Sequence, residues 1–538
     1  MKIIRKFYPL VILLIVGLIP ILDLLHPGLP ITHDGQDHVA RIVNFYQSLT
    51  ERNIIPRWAA NLNWGYGHPI LMFLYPLPSY IVSLFHFLGF SFVDSLKIVF
   101  GLTFVLSGFT MYLWIKSFLS KEAALISGAL YVLASYRFVD LYVRGAIGEH
   151  VAFLFIPLIL YFILKLSIKY SKFAIFGGAF SIAGLILSHN AISLMFLPLS
   201  LLYALYLYSK QKDYIKSLVL IFVIGFGISA FFWMPALLEG RYTLRDIVTA
   251  GDYRTRFVNF PALLYGSWSY GGTGQFSVQI GIIQWIFAIL SIPVTVYLYK
   301  VGNKLWILSL GCILVFLLSI FLMLPYSNLI WERLKILQNF QFPWRFLSIS
   351  VFITSVIGGI VVSQIKNHRL FIACAVLIAL ILINKNYWRA NNYKVVSESF
   401  FTGIYNGTTD TGESSPVWSV RFMEQRPKSH IEVIGGDANI TQVKRNSTMH
   451  EYSVVVLKSA QFKENTLYFP GWKVWSDGKE IPIEFQDPHN RGVMTFNLFA
   501  GTHTLDIQFG ETNLRYLANL ISIASLVALF VLLKFKKT

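Results

Sequence analysis

Two carboxylates and two imidazoles crowd into Thr32-His33-Asp34-Gly35-Gln36-Asp37-His38, directly ahead of an amphipathic run of Val39, Ile42, Val43, Phe45, Tyr46 and Leu49. At helical spacing Asp37 and His38 stand three and four residues beyond Asp34 and share its face. A carboxylate held there suits general-base work, alone or beside a divalent cation, Mg or Mn. The plainer reading is a helix start, with Asp34 as N-cap and Asp37 at the capping-box position. Capping, however, needs neither flanking histidine.

Further along, Arg144-Gly145-Ala146-Ile147-Gly148-Glu149-His150 puts a guanidinium and a carboxylate–imidazole pair around two glycines. Arg144 suits phosphate oxygens, and Glu149 with His150 could join Asp37 and His38 in a polar or metal-holding cluster. As a bare helix start, Glu149 would serve only the helix dipole. His189 stands at a Ser-His-Asn corner, and Gln341-Phe342-Pro343-Trp344-Arg345-Phe346 opens a later apolar run. Trp344 and Phe342 read as interfacial anchors, with Arg345 either snorkelling or binding phosphate. Glu239 and Arg241 carry the same ambiguity. No phosphate-binding glycine motif, dinucleotide fingerprint or zinc spacing is present in the sequence.

The elements that must position these residues are membrane spans. Of 538 residues 55% are hydrophobic and 13% charged, against about 25% charged in soluble domains. Apolar runs of bilayer-crossing length recur from residue 8 to residue 533. The net charge of +18 is concentrated in short gaps between those runs, where Lys and Arg set orientation, so nucleic acid is not implied. Inside clusters are Lys2/Arg5/Lys6, Lys116/Lys121, Lys165/Lys169/Lys172, Lys210/Lys212/Lys216, Lys300/Lys304, Lys366/Arg369 and Lys534/Lys536/Lys537. Spans at 8–25, 96–115, 123–139, 151–164, 173–187, 192–207, 218–238, 280–299, 305–324, 346–363, 371–383 and 517–533 place every cluster inside.

The segment 69–90, interrupted by Tyr75-Pro76-Leu77-Pro78, is expected to be re-entrant or interfacial. Twelve crossings follow, with both termini cytoplasmic in a plasma membrane. The chemistry-capable residues then fall on the outer face, and the spans are expected to hold almost no ionisable side chain near mid-bilayer.

The chain divides into a helical membrane domain (1–383), a β-rich extracytoplasmic domain (384–516), and a last span with a basic tail (517–538). Alternation in 451–457, 466–475, 481–485, 493–499 and 504–509 predicts an antiparallel β-sandwich. Asp477-Gly478 predicts a two-residue hairpin, and Ala500-Gly501 a second turn. Only Cys312 and Cys374 occur, both inside apolar runs, so no disulfide staples that domain.

An N-terminal helix, an acidic outer loop and a proline-rich interfacial segment, His68-Pro69 and Tyr75-Pro76-Leu77-Pro78, resemble the GT-C membrane glycosyltransferases. Ser188-His189-Asn190, Phe231 to Glu239 and Phe342-Pro343-Trp344-Arg345-Phe346 look like the membrane family labelled 6-pyruvoyl-tetrahydropterin synthase-related. Tyr468-Phe469-Pro470-Gly471-Trp472-Lys473 through Ala500-Gly501-Thr502-His503 is similar to the YfhO-like proteins. The label implies no pterin chemistry, since a pterin synthase is a small soluble zinc enzyme.

The GT-C resemblance implies inverting transfer of a sugar from a polyprenyl phosphate to an envelope lipid, polymer or protein acceptor. Asp34 or Asp37 would be the base, and Arg144 or Arg345 would stabilise the departing phosphate. Glu149, His189, Glu239 and Arg241 would complete the substrate site. Two other classes remain: a lipid or glycan transporter, and a scaffold whose β domain binds envelope polymers.

Overall fold

The computed structural model describes residues 2–208, 213–271, 275–365 and 367–534, with side chains from residue 7 onward. Lys210, Lys212, Lys366, Lys536 and Lys537 therefore lie outside the described residues, as do the side chains of Lys2, Arg5 and Lys6. Among the described residues eight helices are long and apolar enough to cross a bilayer: Phe7–Leu25, Phe92–Lys116, Ile147–Ile168, Ile282–Lys300, Leu305–Met323, Pro343–Gln364, Arg369–Tyr387 and Asn513–Lys534.

Two bent pairs, Lys121–Val132 with Ser135–Arg144 and Tyr214–Ile228 with Ala230–Leu238, raise that number to ten. The other two expected crossings are the apolar helices Lys172–Ser188 and Asn190–Tyr206, of 17 residues each. At 1.5 Å per residue each reaches about 25 Å, short of the roughly 30 Å hydrocarbon core. The proline-rich segment forms two short helices, Ile70–Phe73 and Leu77–Phe87, broken at Tyr75-Pro76.

Helix Pro343–Gln364 is the bundle's core, 94% buried along its apolar window. Its polar residues survive there because Ser348, Thr354 and Ser355 turn their hydroxyls back onto carbonyls of their own helix. Ends expected on the inner face meet one another. Tyr8 donates to Glu122 at 2.9 Å, and Lys172 donates to the Leu533 carbonyl at 3.1 Å.

The bundle interior departs from expectation. Arg137, Asp140, Glu149 and His150 are all fully buried. The Arg137 guanidinium lies over the Phe153 ring at 4.1 Å and donates to Ser107 at 3.2 Å. Ser107 sits midway along Phe92–Lys116. The sequence conceals this because Arg137 belongs to an otherwise apolar stretch whose second half turns π-helical, Val139–Arg144. Such turns concentrate at functional sites.

Above the bundle, strand β1 (Leu29–Pro30) pairs antiparallel with β2 (Tyr393–Lys394). The six-stranded sheet follows: β3 (Ile431–Arg445), β4 (Met449–Leu467), β5 (Trp472–Ser476), β6 (Lys479–Ile481), β7 (Val493–Leu498) and β8 (Gly501–Phe509), in the order β3-β4-β8-β5-β6 with β7 also on β4. The Asp477-Gly478 hairpin forms, with φ of 51° and 76° at its two turn residues. Ala500-Gly501 is not a reversal. β7 pairs with the second half of β4 and β8 with the first half, so the two run in line along one edge of β4.

Register shifts between Val433 and Ala438 mark irregular pairing of β3 with β4 at about the same level, and bulges of this kind bend a sheet. The strands expected to form a sandwich are joined by their pairings into one six-stranded sheet. Its core also takes in Trp58 and Met72 from the first loop. Residues 392–430 lie outside the six-stranded sheet; from Asn392 to Met423 they bond the first loop at several points, as a strap.

Candidate functional site

Helix Gly35–Thr50 begins where expected, but Asp34 makes no side-chain capping bond. Thr32 Oγ1 takes the Gly35 N–H instead, at 3.1 Å. Backbone bonds from His33 N to Val143 O and from Asp34 N to Arg144 O, both 2.9 Å, dock the first loop onto the π-helical turn. Gly145 permits this: its φ is 70°, and a Cβ there would collide with Thr32 Oγ1. Among the described residues the Asp34 carboxylate has no hydrogen-bond or ion-pair partner.

Asp37 is engaged. Tyr405 donates to its Oδ1 at 2.8 Å, and Gln36 donates to Tyr405 at 3.2 Å. Burial raises the Asp37 pKa above the usual carboxylate range, against the Tyr405 hydrogen bond and Arg41. His38 is held well below the ordinary imidazole value by burial, with Arg41, His189 and Arg144 adding to it.

Beside the loop stands a charged cluster centred on Glu149, in the first turn of Ile147–Ile168. Arg144 Nη1 reaches Glu149 at 2.8 Å and Asp140 at 2.5 Å, while Tyr136 donates to Glu149 at 2.9 Å. His189 and Arg345 approach the same carboxylate at 3.9 and 3.8 Å. The Arg345 Nε is buried without a hydrogen bond among the described residues. Arg144 lies over the Trp344 ring at 4.6 Å and Arg345 over Phe342 at 5.0 Å. Burial pushes His189 down to about 3, opposed by Glu149 and reinforced by Arg345 and Arg144.

Tyr75 stacks on His189 at 4.9 Å. Only glycine at 148 lets that ring in, because a Cβ would strike it and would stand 2.7 Å from the Ser188 carbonyl. The proline-rich segment thereby becomes part of the site. The arrangement offers a carboxylate docked onto a paired Arg144, with the incompletely paired Arg345 on the same Glu149, which suits proton abstraction beside a departing or bound anion.

Several expected members stand elsewhere. Glu239 is buried against Arg515 at 2.8 Å and accepts from Thr512 at 2.8 Å, tying the span Ala230–Leu238 to the last helix. Arg241 is exposed and donates to Tyr242 at 2.7 Å. His150 faces Phe100 and Phe104 inside the bundle. Among the described residues no three His, Cys, Asp or Glu side chains come together as a metal site. Asp37, His38, Glu149 and His150 do not fit a divalent cation, since Arg144 already occupies the Glu149 carboxylate.

Sequence reasoning missed Tyr405, Gln341, Tyr136, Asp140 and Tyr75. Gln341 has φ of 59°, rare for a non-glycine residue, and bridges Arg345 (3.4 Å) to Glu413 (3.0 Å). The Tyr75-Pro76-Leu77-Pro78 break was a usable signal. Nothing local marks Tyr405, which meets Asp37 across 368 positions of sequence.

A solved mycobacterial arabinofuranosyltransferase, AftD, resembles this chain with a TM-score of 0.47 and 14% identity over 71% of this chain and 27% of its own. Its R1389S mutant gives 0.42 and 11% over 71% and 28%. An uncharacterized protein of Lactococcus lactis subsp. cremoris (strain MG1363) is 29% identical over 252 residues, 44% of this chain and 41% of that protein's length. Residues 71–391 match the family described as 6-pyruvoyl-tetrahydropterin synthase related domain, membrane protein. That match covers more than half of the sequence and runs from the proline-rich segment through the core helix, so the chain belongs to this membrane-protein family.

Proposed function

We propose that the protein is a membrane glycosyltransferase working on the extracytoplasmic face of the plasma membrane, with both termini in the cytoplasm. It transfers a sugar from a polyprenyl phosphate to an envelope lipid, polymer or protein acceptor. The observation that carries this reading is the uncommitted Asp34 carboxylate docked by its own backbone onto Arg144, beside the incompletely paired Arg345.

In the reaction the acceptor oxygen forms a bond to the sugar's anomeric carbon as the bond from that carbon to the lipid phosphate oxygen breaks. The acceptor proton passes to Asp34, and the electron pair leaves with the phosphate. Arg144 and Arg345 meet the charge that grows on the leaving group, in a buried setting where such contacts are strong. Trp344 and Phe342 hold the two guanidinium planes.

Purified protein incubated with labelled polyprenyl-phosphate sugars and an envelope extract is expected to move label to the acceptor. Asp34→Asn is expected to insert and fold normally while transfer stops. Full transfer by that variant removes the reading.

Movement of lipid or glycan across the bilayer is a second reading, favoured by the fully buried Arg137 and His150. Flux into proteoliposomes without any sugar transfer would select it.

A further inference from the structure

The strap lies beyond the family-matched residues 71–391, yet it bonds both halves of the site. Its backbone is fastened independently of its side chains. Ile31 N donates to Asn392 O at 2.9 Å, Tyr405 N to Asn61 O at 2.8 Å, Trp64 N to Tyr405 O at 3.2 Å and Asn63 N to Gly407 O at 2.8 Å. The Tyr405 hydroxyl is therefore not needed to tie the strap down, and it is spent on Asp37 and Gln36. A few residues on, Glu413 accepts from Gln341, whose own oxygen accepts from Arg345.

We propose that Tyr405 is a positioning residue: its hydroxyl holds Asp37 in place, leaving Asp34 as the free carboxylate, while Glu413 orients Arg345 through Gln341. The strap thus aligns the proton acceptor with the cation that receives the leaving group. This rests on the glycosyltransferase reading for its catalytic meaning, though the contact itself does not. Asp37 also faces Arg41 on its own helix, Asp34 before that helix and Asp410 from the strap. Tyr405 is the one of these partners that donates to it without carrying charge.

Carbodiimide modification of the full-length protein in nanodiscs, mapped by mass spectrometry across an acid-to-neutral pH series, reads the two acids separately. Only a protonated carboxyl activates the reagent. Tyr405→Phe removes a donor that favours the carboxylate form, so Asp37 is expected to remain reactive to higher pH while Asp34 is unchanged. Gln36→Leu, which strips the second partner from the Tyr405 hydroxyl, is expected to move Asp37 the same way by less. In the transfer assay Tyr405→Phe is expected to lower kcat about 10–100-fold at nearly constant KM.

An unmoved Asp37, or Asp34 moving with it, overturns the proposal. Undiminished kcat in Tyr405→Phe removes the positioning role and leaves the glycosyltransferase reading standing. If Tyr405→Phe shifts Asp37 but the wild-type protein transfers no sugar, that reading falls and the role with it, while the contact survives.

Discussion

Asp34 and Asp37 are three residues apart, yet their surroundings separate them. Asp37 is tied to Tyr405 and largely desolvated, while the Asp34 carboxylate caps nothing and has no partner among the described residues. Losing a general base slows a reaction by about 10²–10⁴-fold. That loss is expected for Asp34→Asn, with a smaller one for Asp37→Asn, both measured as label transferred per minute. Glu149 has a different job. Arg144, Arg345 and His189 converge on a carboxylate that is fully buried. Removing one member of a buried ion pair costs about 3–5 kcal/mol because the partner charge is stranded. Glu149→Gln is therefore expected to lose monodisperse protein in detergent chromatography, ahead of any question about activity.

The helices were legible because long apolar runs have few other homes, and the helix break at Tyr75-Pro76 was legible because proline announces it. The two-residue hairpin was legible for a similar local reason. Strand β3 was not: most of its residues are exposed or half-exposed, so no alternation marks it. The in-line arrangement of β7 and β8 was also hidden, since Ala500-Gly501 has the composition of a turn and only the pairing to β4 shows that the chain continues straight. Half of the site was readable as charged residues at the ends of apolar runs. Its assembly was not, because it depends on the π-helical turn receiving the first loop. Gly145→Ala tests that docking: the added Cβ strikes Thr32 at a positive φ, and L residues pay about 1–2 kcal/mol there. The expected result is a folded protein with transfer cut as severely as in Asp34→Asn, and with greater protease sensitivity around residue 34.

Membrane body and sheet are joined by charge as well as by packing. Glu239 meets Arg515, and Arg57 meets Glu511 at 2.7 Å, where the last strand becomes the last helix. Within the sheet, buried Glu464 contacts Arg445 at 2.7 Å and His450 at 2.9 Å, and takes the Tyr452 hydroxyl at 3.0 Å. His450 and Arg445 bring Glu464 down to about 2 against its burial, and burial holds His450 below the ordinary imidazole value. Both shifts act in one direction. The unfolded chain protonates His450 first, so stability falls as pH drops below about 6.5. It falls further below about 4.5, where unfolded Glu464 takes up a proton and the folded state does not until about 2. The protection factors of the β4 amides, corrected for the slower intrinsic exchange in acid, are expected to fall progressively on acidification, and His450→Gln to flatten the upper part of that fall.

Trp58 packs edge-on against Trp472 at 5.4 Å and Met72 sits in the same core, although both come from a loop nearly 400 residues upstream. The sheet is consequently not a transferable module. Excised as 431–509 it would carry an open apolar socket, and each missing large side chain forfeits about 2–5 kcal/mol, comparable with a domain's whole margin. The fragment is expected to precipitate alone and to become soluble when a peptide spanning residues 56–73 is supplied in trans. Chimeras between relatives should then exchange the two pieces together, because neither has a finished interior without the other.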